Sequence, residues 1–307
     1  MADTVALSKL RLSIKRWLKT GLAVPGFVLR PQRPHLRVLF YHRVNPYPFA
    51  KLGPVSRELT VHPGMFEAQL QYLVQHGYHS VGIDEFHAMM TSHQAIDRKA
   101  VLITFDDGYE DNLLWAAPLL RKYGFSAVIF LISDFLGRSA ADVWPNSDPS
   151  MYGKFLDAGQ IRALQQSGFE FGSHTVTHPL LTGLPPGQQF DELLNSKREL
   201  ENVTGGPVRC VAYPGGDFDA MTELSAVKAG YALAFTTIPG VNCPDTPLTA
   251  LKRTEVSASD SFLVFRMKMA GALDWMWFKE GRGLRRFVSR LNHLLLPLAQ
   301  ARRGGDG

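Results

Sequence analysis

Short apolar and β-branched runs alternate with amphipathic stretches along most of this chain. Residues 36–41, 78–81, 101–105, 127–132, 169–172, 208–213 and 231–237 read as strands. Between them lie helical patterns, such as Phe66, Leu70, Leu73 and Val74, then Leu113, Leu114, Ala117, Leu119 and Leu120, then Leu193, Leu194, Lys197 and Leu200. Strands alternating with helices predict a parallel sheet with right-handed crossovers, doubly wound or closed into a barrel. The polar residues favour the barrel, because they follow strands: His42 the first, Asp106 and Asp107 the third, His174 the fifth, and the Tyr213-Pro214-Gly215-Gly216 turn the sixth. All strand ends of a barrel open on one face, so these segments can meet in one pocket. From Ser259 onward the pattern changes to long helical stretches, 262–278 and 284–296, the second carrying Arg285, Arg286 and Arg290. The expected division is a basic N-terminal arm over 1–36, a barrel over 37–258 and a basic helical appendage over 259–307.

Charge sharpens this division. Residues 1–37 hold eight Lys/Arg and one acid, residues 279–307 hold seven and two, and the body between them carries a net charge of −7. An acidic globule with two basic ends argues against a nucleic-acid face on the globule. The arm sets Leu7, Leu10, Ile14, Trp17 and Leu18 on one helical face, with Lys9, Arg11, Lys15, Arg16 and Lys19 around the other. That pattern suits a helix lying on an anionic membrane surface, or a basic helix docked on the globule. Trp275, Trp277 and Phe278 read as ordinary packing or as part of a membrane-facing patch with the basic ends. The apolar stretch 21–29 is short and contains Pro25, so no secretory signal is expected, and no run approaches the ~20 apolar residues of a membrane span. A cytoplasmic location, or a peripheral one on the cytoplasmic membrane face through 1–36 and 279–307, is expected. Cys210 and Cys243 are too few for a disulfide framework and lack a metal-binding spacing.

The chemistry lies in two segments. In Val101-Leu102-Ile103-Thr104-Phe105-Asp106-Asp107-Gly108-Tyr109, adjacent carboxylates sit at the end of a buried strand, where their repulsion calls for a cation. His174 and His178, with Pro179 disfavouring a helix at His178, predict a turn that points two imidazoles the same way. Two neutral imidazoles and Asp107 leave a fourth tetrahedral position open, the pattern of a catalytic zinc. Asp106 is then free to act as a general base on water acidified by the metal.

Thr104-Phe105-Asp106-Asp107-Gly108-Tyr109 and His174-Thr175-Val176-Thr177-His178 resemble the first two motifs of the polysaccharide deacetylases, the NodB-homology or carbohydrate esterase family 4 enzymes. The resemblance covers roughly residues 37–256. It implies a distorted (β/α)7-type barrel, metal-dependent removal of acetyl groups from sugars, Asp106 as catalytic base, and Asp107, His174 and His178 as ligands of a divalent metal, zinc by donor preference. The family's third motif has the form Arg-x-Pro-Tyr, with the arginine oriented on the base. Here the stretch is Ala212-Tyr213-Pro214-Gly215-Gly216, so alanine stands where the arginine would. The resemblance leaves this turn, through Tyr213 and the Gly215 N–H, as the oxyanion and substrate element. Arg253 is either a substitute for the missing arginine or one half of a surface ion pair.

The family's late-motif histidine is also absent, since only His293 follows His178. His42, in Phe40-Tyr41-His42-Arg43-Val44, resembles instead the subgroup that deacetylates poly-N-acetylglucosamine, whose general acid lies after the first strand. The expected function is therefore removal of acetyl groups, N-acetyl first, from an amino-sugar polysaccharide or glycan precursor in exopolysaccharide or envelope carbohydrate metabolism. A lipid-linked or nucleotide-linked sugar at the membrane face is the alternative substrate, and a non-catalytic carbohydrate-binding barrel the alternative class.

Overall fold

The computed structural model describes residues 9–21, 35–52, 54–92, 96–143 and 153–276. Ten strands are assigned in this region: β1 (Arg37–Tyr41), β2 (Arg43–Val44), β3 (Thr60–Val61), β4 (His79–Ser80), β5 (Ala100–Phe105), β6 (Val128–Leu131), β7 (Glu170–Ser173), β8 (Cys210–Ala212), β9 (Leu233–Phe235) and β10 (Thr254–Glu255). The main sheet runs β10-β1-β5-β6-β7-β8-β9, with β4 paired to the start of β5, and every pairing in it is parallel. A single bridge from Phe235 to Leu251 brings β9 to the segment leading into β10 and draws the curled sheet towards closure. The architecture is thus a distorted (β/α) barrel. All seven expected strands form, five of them one to four residues shorter than their apolar runs, because only the paired part of each run joins the ladder. Three two-residue strands, β2, β3 and β10, are additions that their composition did not signal.

Both faces of the sheet are covered, which is why strands such as Ala100–Phe105 are buried at every position. The period-two alternation of strand side chains sorts them into two cores. On one face Val38, Leu102, Val128, Phe130, Cys210, Ala212, Leu233 and Phe235 pack together, closed off by Ile83, Phe86 and Met90 of the helix Ile83–Thr91. On the other, Leu39, Tyr41, Ile103, Phe105, Ile129, Leu131, Val211, Tyr213 and Ala234 meet the flanking helices. The inner space is tight: a Cβ on Gly172 would lie 2.5 Å from the Phe130 ring and 2.8 Å from Cys210 Sγ. The Cys210 thiol has its pKa pushed up by burial, and neither cysteine is in a disulfide.

The helix Pro63–Gln75 buries Phe66, Gln69, Leu70 and Leu73. Phe66 meets Tyr41 edge-on at 5.2 Å, and Tyr41 stacks on Phe105 at 5.4 Å, so this helix locks the ends of β1 and β5 that carry the chemistry. Beyond the sheet, the helix Phe262–Met269 is capped by Ser261 and sends Phe265 and Met269 into the outer core. It stops well short of the expected 262–278. The expected helix over 284–296 and the side chains of Trp277 and Phe278 lie outside the described residues, while Trp275 sits in a half-buried turn. Among the described residues no helix is long and apolar enough to cross a membrane.

Candidate active site

Because the sheet is parallel, the residues following β1, β5, β7 and β8 emerge at one end of it. A groove of about 320 Å³ opens there, lined by Phe40, His42, Leu59, Asp106, Asp107, His174, His178, Gly215, Thr237 and Glu255. Six of the eight expected site residues, from four separated segments, therefore share one wall. Strand parity explains the membership. Asp106 continues the inward series of Leu102 and Thr104, His42 that of Val38 and Phe40, and His174 that of Gly172.

The same parity removes Tyr213 from the groove. It follows Val211 on the outward face, is fully buried, stacks on Phe218 at 5.5 Å and donates its hydroxyl hydrogen bond to the Thr249 carbonyl at 3.1 Å. Burial pushes its phenol pKa up. Its contribution is the turn it begins, in which Gly216 N–H donates to the Tyr213 carbonyl at 2.8 Å and Gly215 adopts φ 59° at the groove edge.

Asp107, His174 and His178 form the one group of potential metal ligands among the described residues, with their ligand atoms all within 4.8 Å of one another. Asp107 Oδ1 lies 3.5 Å from His174 Nε2 and 3.6 Å from His178 Nε2. The backbone is bent to achieve this. Among the described residues, the only non-glycine positions with positive φ are Asp107 at 74°, Thr175 at 68° and His178 at 61°. Such conformations cost about 1–3 kcal/mol each and persist where surrounding contacts over-determine them. At Thr175 those contacts are visible: its N–H donates to Ser173 Oγ at 3.1 Å, and its hydroxyl oxygen accepts from His178 N–H at 3.1 Å. The expected turn at His178 is present, and the next helix (Pro186–Thr204) supplies its clamp. Glu192 on that helix accepts from Val176 N–H at 2.8 Å, Thr177 N–H at 3.0 Å and Thr177 Oγ1 at 2.7 Å. Nothing in the spacing of Glu192 marks it for this task.

The donor set fits a divalent ion. His174 Nδ1 lies 2.7 Å from the Ala212 carbonyl, which accepts its proton and leaves Nε2 as the lone-pair atom facing Asp107. Burial first, and then the neighbouring His174, lower the His178 pKa to about 4, so its imidazole is neutral and able to ligate at neutral pH. Two imidazoles and a carboxylate match zinc. Glu192→Ala is expected to loosen the His178 turn and weaken zinc affinity about tenfold in calorimetric titration. Unchanged affinity would mean that the turn holds without the clamp.

Asp106 has the opposite environment. Arg253 grips it with both arms of the guanidinium, Nη1 to Oδ1 at 2.6 Å and Nη2 to Oδ2 at 2.7 Å. Both residues are buried, so the surface ion pair expected as one alternative is excluded. Arg253 is fixed in turn: Nε donates to the Thr236 carbonyl at 2.8 Å, and the guanidinium lies 4.3 Å from the Phe40 ring centroid. It stands immediately before β10, two residues from Glu255 on the same face of that strand, which is how it reaches the inner face of the sheet. Burial acts to raise the Asp106 pKa, but the Arg253 charge and hydrogen bonds outweigh it and hold the carboxyl near 2. A carboxylate this acidic is a weak base, which fits a site where a cation makes water easier to deprotonate. Thr237, Glu255 and Leu59 also line the groove. Sequence reasoning passed over them because they lie outside both motifs.

Comparison with known proteins bears on the family and the fold. The polysaccharide deacetylase family model matches residues 93–234. The polysaccharide deacetylase-family protein YxkH of Bacillus subtilis (strain 168) is 32% identical over 238 residues, 77% of each chain. Among solved structures, the Streptococcus pyogenes deacetylase PplD in complex with acetate superposes with TM-score 0.67 at 26% identity, over 76% of this chain and 98% of that one. IcaB from Ammonifex degensii gives 0.64 at 25% identity, over 79% and 99%. The Bacillus cereus polysaccharide deacetylase BC0361 gives 0.63 at 27% identity, over 76% and 69%.

Proposed function

The chain belongs to the polysaccharide deacetylase family, and from that premise we propose that it hydrolyses N-acetyl groups of an amino-sugar glycan, with Asp106 as base, His42 as acid and Asp107, His174 and His178 holding one zinc ion. It is a hydrolase, and its family implies an acetylated carbohydrate substrate. The observation that carries the assignment is the division between neighbours at the end of β5. Asp106 is neutralised and oriented by Arg253, while Asp107 turns to the histidines.

When bound, the ion would supply Lewis acidity to the acetyl carbonyl and to the attacking water. Asp106 takes the proton of that water. Arg253 occupies one acceptor position on each carboxylate oxygen, and each oxygen keeps a second for the incoming proton. The Gly215 N–H, at the groove edge, donates to the oxyanion that forms as the carbonyl carbon becomes tetrahedral. His42 protonates the departing amine nitrogen, so that the C–N bond breaks to give acetate and a free amino sugar.

Acetate release from N-acetylglucosamine oligomers by the zinc-loaded chain tests the reading; no release from these, or release from O-acetylated glycans alone, would overturn it. His42→Ala is expected to lower kcat about 10²-fold with zinc affinity unchanged. Near-wild-type kcat would remove the acid role.

A sugar on a lipid or nucleotide carrier is the second substrate reading. It is favoured by the helix over residues 9–21, which carries Lys15 and Lys19 and borders a space that Glu255 lines in common with the groove. Side-by-side acetate release from the carrier-linked sugar and the free oligomer separates the two. The non-catalytic barrel loses support because the Asp-His-His cluster and the buried Asp106 carboxylate lie together in one groove.

A further inference from the structure

The helix over residues 9–21 is seated on the globule in an unusual sense. Its inward side is formed by Leu12 and Lys19, with the half-exposed Lys15 at the edge. Lys19 Nζ reaches Asp260 Oδ1 at 2.6 Å and Ser259 Oγ at 2.7 Å, and Lys15 Nζ reaches Glu58 at 2.7 Å. The Asp260 carboxylate is wholly buried and is held from its other oxygen by Lys268 at 2.6 Å, so Lys19 completes a tether across the fold and is not a loose surface ion pair. The Asp260 charge, acting against burial, raises the Lys19 pKa and keeps the tether charged at neutral pH.

At about 100° per residue, the side opposite the tether carries Leu10, Ile14 and Trp17, with Leu18 at its edge, where it also lines the space beneath the helix. These are 57%, 49%, 77% and 48% exposed. The helix therefore docks by its cationic side and turns its apolar stripe away from the protein, the reverse of how an amphipathic helix normally meets a core. Arg11 borders one edge of the stripe, Lys9 and Arg16 the other. All three are exposed, and none makes an ion pair among the described residues.

We propose that this helix is an interfacial anchor that holds the catalytic barrel on an anionic lipid bilayer. Leu10, Ile14 and Trp17 enter the boundary between headgroups and acyl chains, and Lys9, Arg11 and Arg16 meet the anionic headgroups. Charge selects this occupant. A second copy of the chain packed stripe to stripe would bring the two sets of unpaired cations together, whereas an anionic surface neutralises them while the stripe is buried. Trp17, an amphipathic ring that is the most exposed of the three, is the side chain expected at such a boundary. The tether makes the anchor rigid with respect to the barrel, and Glu255 lines both the space beneath the helix and the catalytic groove.

The inference does not rest on the deacetylase reading, and its test reads binding. The full zinc-loaded chain is co-sedimented with phosphatidylcholine vesicles, with and without phosphatidylglycerol. Wild type is expected to partition onto the anionic vesicles, with I14S/W17S and the charge variant K9Q/R11Q/R16Q each lowering the partition coefficient by about tenfold or more. Because these side chains are exposed, the thermal midpoint and the hydrolysis of a soluble acetylated oligomer should not change. Equal partitioning of wild type and both variants overturns the proposal. So does a wild type that ignores anionic vesicles, including one whose stripe is instead buried in a dimer that sedimentation velocity detects and I14S/W17S abolishes.

Discussion

Asp106→Asn is expected to lower kcat for acetate release by about 10³-fold while the chain still takes up one divalent ion. An amide is nearly the same size as the carboxylate and can still receive one hydrogen bond from Arg253, but it cannot take a proton from water. Metal uptake should persist because the three ligand atoms belong to Asp107, His174 and His178, which the substitution does not touch. The substitution also leaves the buried Arg253 charge without its counter-ion, so the melting temperature should fall. The rate must therefore be measured below that transition, with zinc content determined on the same sample. A kcat within a few-fold of wild type, at full zinc occupancy, would falsify the base assignment.

Arg253→Met should cost about 3–5 kcal/mol of stability at neutral pH, because it strands the Asp106 carboxylate where water does not reach. The pH dependence identifies the cause. In the wild type Asp106 titrates near 2, below its ordinary 3.8, so the pair contributes stability that is fully present above pH 4 and is lost as pH falls through 2. Without Arg253, burial becomes the leading influence and moves the carboxyl above its ordinary value. The sign reverses: the stranded charge destabilises the variant above that raised pKa, and acidification relieves it. Denaturant midpoints of the two proteins should accordingly converge as pH is lowered towards 4, and the acid limb of the variant's kcat/KM profile should move to higher pH. A stability gap that does not change with pH would mean that Arg253 matters through its packing on Phe40 and Phe130 and not through its charge.

Most of the barrel and the core of the site were legible because parallel strands covered on both faces leave continuous apolar runs, and the reacting groups follow those runs directly. The run ending at Phe105 marks both a strand and the position of Asp106 and Asp107 at its end. His174 and His178 were legible for the same reason. The helical reading of the segment after Ser259 was too long, since only Phe262–Met269 forms, where Phe265 and Met269 find a core to enter.

By itself, the sequence determined the parallel barrel, the trio Asp107, His174 and His178 that could hold a metal, the separation of Asp106 from Asp107 and the amphipathic character of the N-terminal helix. These follow from local patterns: apolar runs, short spacings and motif chemistry. Only the tertiary structure decided which groups act together across distance. It brought Arg253, 147 residues from Asp106 in sequence, onto both oxygens of that carboxylate. Strand parity excluded Tyr213 from the groove, and Glu192 was brought in to brace the His178 turn. The structure also turned the apolar stripe of residues 9–21 outward, because buried Asp260 draws Lys19 in. Each of these outcomes depends on a charge or a side-chain direction that acquires its meaning only after the sheet has curled and placed a partner opposite it.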